Sequence, residues 1–191
     1  MQTKSAKAAA LDIETTGLDP AENRVLAVAL DTGERVHSRV SRDESDLLLW
    51  LDELIESLPG DVELVTWNGE EFDLPFLHRR FEVNGIPTSL QIVPRHRTGK
   101  YGGWLFRARW GTHNHVDIAP SFRAIADDRS ISWSLKPVAR AILKLDPVEV
   151  DRKGESIEAL DEDSLRVYVE SDATITRHLC DWLIDTTSAI H

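Results

Sequence analysis

A chain of 191 residues, 41% hydrophobic and 29% charged, has the length and balance of one folded domain spanning 1–191, and excludes a disordered tail. Its formal net charge of −11 excludes broad electrostatic adhesion to nucleic acid, so any such contact needs a local patch. The N-terminus (Met-Gln-Thr-Lys-Ser-Ala-Lys) has no apolar leader, no stretch approaches the ~18 apolar residues of a membrane helix, and the one cysteine, Cys180, cannot form an internal disulfide. A reducing cytoplasm is the expected compartment, with no membrane partner.

Ala8 to Glu14 reads as a buried strand, and Arg24–Asp31 and Arg35–Val40 as two more around a Thr32-Gly33 turn. Asp43 to Leu58 places Leu47, Leu48, Leu51, Leu54, Ile55 and Leu58 at helical spacing, and Pro59-Gly60 stops it. Val62–Trp67 is a fourth strand. Leu74–Val83 is a short helix with Pro75 in its first turn and Asn84-Gly85 at its end. Gln91–Val116 reads as a hairpin or a long loop. Helices follow at about 120–126, 134–143 and 164–186. This order implies an α/β fold with a mixed central β-sheet flanked by α-helices.

Three short constellations carry chemistry. In Leu11-Asp12-Ile13-Glu14-Thr15-Thr16 the two acids share one face of a strand. They repel each other there and resist burial, and a divalent cation would relieve both costs. Two solvated acids at a strand end are the alternative. In Asn68-Gly69-Glu70-Glu71-Phe72-Asp73, Asp73 falls just before a helix, where it reads equally as an N-cap or as a metal ligand. Tyr168 and Asp172 stand at i and i+4 on one helix face, with Asp172 on the apolar stripe of Leu165, Val169, Leu179 and Leu183. An acid there needs a partner, be it a metal, a backbone amide or an arginine.

Together the three segments resemble the DEDD superfamily of 3′→5′ exonucleases, in its tyrosine-bearing branch. Asp12 and Glu14 match the Asp-x-Glu of the first motif, Asn68, Phe72 and Asp73 the second, and Tyr168 and Asp172 the third. The histidine-bearing branch would need a histidine where this chain has Val167. The segments Val116-Asp117-Ile118 and Trp133-Ser134-Leu135-Lys136-Pro137-Val138-Ala139 are similar to the proofreading domain of family B DNA polymerases. The resemblance implies an RNase H-like exonuclease fold and two divalent cations, Mg²⁺ or Mn²⁺, held by Asp12, Glu14, Asp73 and Asp172. It implies that Asp12 bridges the two ions and that Asp73 acts through water or from the outer shell. Phenols ordinarily titrate near ~10, so Tyr168 reads as an orienting partner of the attacking water. Asn68 and Phe72 are expected at the terminal nucleotide, and backbone amides near Thr15 and Thr16 at the 3′ end.

The implied substrate is the 3′ end of single-stranded or frayed DNA, released as nucleoside 5′-monophosphates by a free-standing exonuclease or a separable proofreading or repair subunit. An exoribonuclease is the alternative within the same chemistry, and a silent module binding nucleic-acid ends or a partner protein the alternative outside it. From Pro94 to His115 the chain carries Arg95, Arg97, Lys100, Arg107 and Arg109 and no acid, interleaved with Tyr101, Trp104 and Trp110. Cations for phosphates and aromatics for bases would make it a single-strand path through Arg107, Arg109 and Trp104. A solvated basic hairpin is the other reading.

Overall fold

The computed structural model describes residues 7–96, 104–149 and 157–189. Its centre is a seven-stranded sheet in the order β3-β2-β1-β4-β7-β6-β5. The strands are β1 (Lys7–Thr15), β2 (Val25–Asp31), β3 (Val36–Val40), β4 (Val62–Thr66), β5 (Leu90–His96), β6 (Trp104–Trp110) and β7 (His113–Asp117). The helices are α1 (Glu44–Glu56), α2 (Asp73–Asn84), α3 (Ala119–Asp128), α4 (Leu135–Leu143) and α5 (Glu162–Ser188). β1 runs antiparallel to β2 and parallel to β4, which runs parallel to β7. The sheet is therefore mixed, as the order of elements predicts.

Strand parity sorts the two faces. Ala9, Leu11 and Ile13 of β1 pack with Leu64, Ala108 and Trp110 and with the leucines of α1 and the apolar side of α2. Ala8 and Ala10 point the other way, toward α3, α4 and α5, where Val65, Phe122, Val138 and Leu179 close a second core. Asp12 and Glu14 continue this second face beyond its apolar part. Short side chains at positions 8 and 10 let α5 approach β1 closely, and α5 carries Asp172 inward among Val169, Ala173 and Thr176.

Helix ends follow the sequence signals. Asp43 caps α1, its carboxylate accepting from the Asp46 amide. Gly85 ends α2 in the left-handed conformation, φ 64°, which costs a glycine little. Asp73, in contrast, is the first residue of α2 and not its cap; that position belongs to Phe72. The segment open between hairpin and loop is strands β5 and β6, paired from Leu90↔Trp110 to His96↔Trp104. Among the described residues no helix is long and apolar enough to cross a membrane.

Candidate metal centre

Asp12 and Glu14 reach the site from the end of β1, and Asp172 from the middle of α5. One carboxylate oxygen of each lies within 4.8 Å of the others. Asp73 stands outside that trio but close enough for its charge to act on Asp12. The backbone amides of Asp73 and Ile13 lower the proton affinity of its carboxylate.

Burial and like charge set the proton affinities. Asp12 is held well above the ordinary carboxylate range, first by burial and then by the charges of Asp73, Asp172 and Glu14. Asp73 is pushed up to about 7, mainly by burial, with Asp117 adding to it. Asp172 is pushed up to about 6 by burial, against the pull of Lys136. Asp172 Oδ1 is buried, and the group that reaches it is the ammonium of Lys136 at 3.3 Å. Three converging carboxylates, with burial and mutual repulsion raising Asp12, are the donor set of a hard divalent cation.

One cation is already present. Lys136, from α4, places Nζ 3.3 Å from Asp172 Oδ1 and 3.8 Å from the centroid of the Tyr168 ring. It donates to the Val148 carbonyl at 2.8 Å. Its charge lowers the proton affinity of both Asp12 and Asp172. The sequence alone assigns Lys136 no role. Its signals are its place in the Trp133–Ala139 segment that carries part of the resemblance and a lysine beside Leu135, Val138 and Ala139, while its partner lies 36 residues on.

The expected substrate contacts divide. Asn68 has a left-handed backbone, φ 66°, and with Trp67, Glu71, Ser132, Trp133, Ser134 and Leu135 lines an open cavity of about 360 Å³. Phe72 is half-buried against Phe76, ring centroids 5.4 Å apart. The Thr16 amide is not open to a 3′ end, because it donates to the Arg24 carbonyl at 2.9 Å and closes the turn into β2. The Thr15 hydroxyl donates to the Gly17 carbonyl at 2.8 Å, and that of Thr16 donates to Asn23 Oδ1 at 3.2 Å. Leu18, in the same turn, is 83% exposed, an apolar side chain held in solvent on the loop that follows the β1 acids.

Arg107 and Arg109 are exposed on β6. They alternate with Ala108 and Trp110 of the first core, so they lie on the same sheet face as Asp12 and Glu14. Three strand steps separate β6 from β1, roughly 14 Å at the usual strand spacing. Val116 on the intervening β7 is 40% exposed and Val93 on the outer β5 60%, whereas Val65 on β4, nearer the acids, is buried under the helices of the second core. Trp110 is a correction: it is fully buried, meets Phe81 edge-on at 5.8 Å and donates Nε1–H to Asp52 at 2.7 Å. It is a core residue and not a stacking platform. The side chains of Arg95 and Trp104, and all of Arg97, Lys100 and Tyr101, lie outside the described residues. A larger cavity, about 440 Å³ and lined by Lys7, Gly33, His37 and Arg177, opens at the start of β1, away from the acids.

Residues 9–184 match the RNase_H superfamily. The chain is similar to DNA polymerase 1 of Sulfolobus acidocaldarius, 29% identical over 151 residues, covering 75% of this chain and 16% of the polymerase. It is also similar to the catalytic polypeptide of DNA polymerase epsilon from Dictyostelium discoideum, 33% identical over 119 residues, 60% of this chain and 5% of that one. The chain therefore spans a small part of each relative it matches. Its fold is that of part of the family B DNA polymerase of the hyperthermophilic archaeon Pyrobaculum calidifontis: the TM-score is 0.71 at 21% identity, over 94% of this chain and 24% of the polymerase.

Proposed function

We propose, from the premise that this chain belongs to the RNase_H superfamily, that it is a metal-dependent 3′→5′ exonuclease of the tyrosine-bearing DEDD branch. The substrate is the 3′ end of single-stranded or frayed DNA, and the products are nucleoside 5′-monophosphates. A nuclease of RNase H-like type is the coarser reading that the superfamily and the polymerase similarities support. The observation that carries the finer one is the convergence of Asp12, Glu14 and Asp172 within 4.8 Å, with Asp73 beside them.

Asp12, Glu14 and Asp172 would hold the divalent cations, Mg²⁺ or Mn²⁺, and Asp73 would act on them from the outer shell. Bound there, such ions lower the pKa of water and stabilise charge on both oxygens of a phosphodiester displacement. The protein's own groups do the rest. Lys136 offsets part of the cluster's charge and holds the Tyr168 ring beside Asp172. The Tyr168 hydroxyl orients the attacking water by a hydrogen bond. Asn68 and Phe72 position the terminal nucleotide, with the exposed Leu18 offering apolar surface on a separate loop. The cavity between Asn68 and Trp133 has room for a nucleoside. Arg107 and Arg109 supply the cationic path on the same sheet face, for phosphates further from the end. DNA over RNA rests on the names of the similar polymerases.

The test is release of mononucleotides from oligonucleotides with Mg²⁺ or Mn²⁺, using DNA labelled at either end and a matched RNA. The reading predicts immediate loss of a 3′ label, a shortening ladder from a 5′ label, no activity in chelator and none for Asp12→Ala. Hydrolysis that persists in chelator, or that starts at the 5′ end, contradicts it.

A further inference from the structure

The turn 67–72 joins β4 to α2 and carries Asn68 and Phe72. The amides of Glu71 and Phe72 both donate to the Asn68 carbonyl at 3.1 Å, and Leu74 donates to the Gly69 carbonyl at 3.1 Å. Asn68 sits at φ 66°, a left-handed conformation that asparagine tolerates more readily than other non-glycine residues.

β7 ties the turn from outside. Asp117 Oδ1 accepts from the Asn68 amide at 2.9 Å and from the Ala119 amide at 3.1 Å. Its Oδ2 accepts from the Glu70 amide at 3.3 Å. One carboxylate thus gathers three backbone N–H groups from two loops. Two residues earlier on the same strand, His115 Nε2 lies 2.8 Å from Thr66 Oγ1, and that oxygen accepts from the Gly69 amide at 3.1 Å. Burial pushes His115 down to about 4, so the ring is neutral and shares one hydrogen bond with the Thr66 hydroxyl at Nε2. No side chain fits at residue 69, where a Cβ would stand 2.2 Å from Thr66 Oγ1.

We infer that Asp117 and His115 are positioning residues that lock the 67–72 turn from β7 and so set how tightly the site takes the end of its substrate. The inference rests on the nuclease reading, because it gives Asn68 and Phe72 something to position. Neither side chain touches the reacting atoms. Their hydrogen bonds act through the turn, so the main effect falls on substrate binding, and the charge of Asp117 acts in addition on the proton affinity of Asp73.

Asp117→Asn tests it. Asparagine keeps one acceptor oxygen but sets an N–H₂ group against one of the amides. The Michaelis constant for a single-stranded oligonucleotide should rise roughly tenfold, the scale of one lost charge-assisted hydrogen bond, while the turnover number holds. The measurement is made where circular dichroism shows the variant fully folded. Amide resonances of Asn68, Glu70 and Ala119 should move, in the absence of any substrate. His115→Gln, which can still hydrogen-bond with Thr66, should keep the wild-type Michaelis constant that His115→Leu loses. An unchanged Michaelis constant in Asp117→Asn, or a loss of rate that tracks the unfolded fraction, overturns the inference. If the wild-type protein digests no oligonucleotide, the nuclease reading fails instead. The amide resonances then still decide whether Asp117 holds the turn: unmoved resonances overturn that part as well.

Discussion

Two buried charged clusters sit in this molecule and are built on opposite principles. Around Glu44 every charge is answered. Arg80 Nε and Nη2 donate to the two carboxylate oxygens at 2.9 and 2.6 Å, the Val25 amide adds 2.8 Å and Asn84 adds 3.0 Å. Arg80 also reaches the Pro20 carbonyl at 2.9 Å. Burial alone would raise Glu44, but Arg80, Val25 and Asn84 together hold it below the ordinary range. Around Asp12, among the described residues, the acids outnumber the ammonium of Lys136, and Asp12, Asp73 and Asp172 are all raised. A structural cluster brings its counter-charge in its own sequence. A site meant for a cation leaves it out, at a cost in stability until the cation arrives.

The largest effect expected from breaking this contrast is structural. Arg80→Met leaves Glu44 buried without its partner and should destabilise the protein by about 3–5 kcal/mol, read as a lower denaturant midpoint. The next is catalytic. Tyr168→Phe should lower turnover on the order of 10²-fold with stability nearly unchanged, as expected for an orienting group in proton transfer; an unchanged rate removes Tyr168 from the mechanism. Smaller and opposite in sign, Asp172→Asn in chelator should raise the melting temperature by roughly 2–4 °C, the shift of about 1 kcal/mol in a chain of this size. Removing one charge from the crowded set relieves repulsion, whereas the same change at Glu44 should destabilise. The smallest effect belongs to the exposed arginines of β6. Arg107→Ala with Arg109→Ala should raise the Michaelis constant, hold the turnover number and flatten the salt dependence of binding. Normal binding by that double variant would make β6 a solvated hairpin.

Much of this was legible in the residues. Parity alone puts Asp12 and Glu14 on the face opposite Leu11 and Ile13, and helical spacing alone puts Asp172 on the buried side of α5 with Val169 and Leu179. The illegible parts depend on contacts between elements distant in the chain. The pairing of Lys136 with Asp172 requires α4 to pack on α5. Trp110 reads as an exposed aromatic among arginines until α1 brings Asp52 to its indole nitrogen. The Thr16 amide reads as free until the return of the chain at Arg24 is known. Asp117 reads as one acid at a strand end, and only the fold brings the Asn68 and Glu70 amides to it.

The central claim is that the Asp12 cluster lacks a charge that divalent metal supplies, and thermal unfolding with and without metal across pH tests it most directly. Groups with raised folded-state pKa values bind protons more tightly in the native state, so their contribution to stability is complete below the ordinary carboxylate range near ~4. It is lost as pH rises through the values of about 6 for Asp172 and about 7 for Asp73. Glu44 runs the other way, its contribution fading only as pH falls through its lowered value. The account predicts a metal-free protein that loses stability from about pH 5 to about pH 8. It also predicts a rise in melting temperature with Mg²⁺ or Mn²⁺ that grows over that same interval, because ions bind the deprotonated native site. A metal-induced shift that is absent, or that is as large at the acid end of that interval as at the basic end and survives Asp12→Ala, would contradict it.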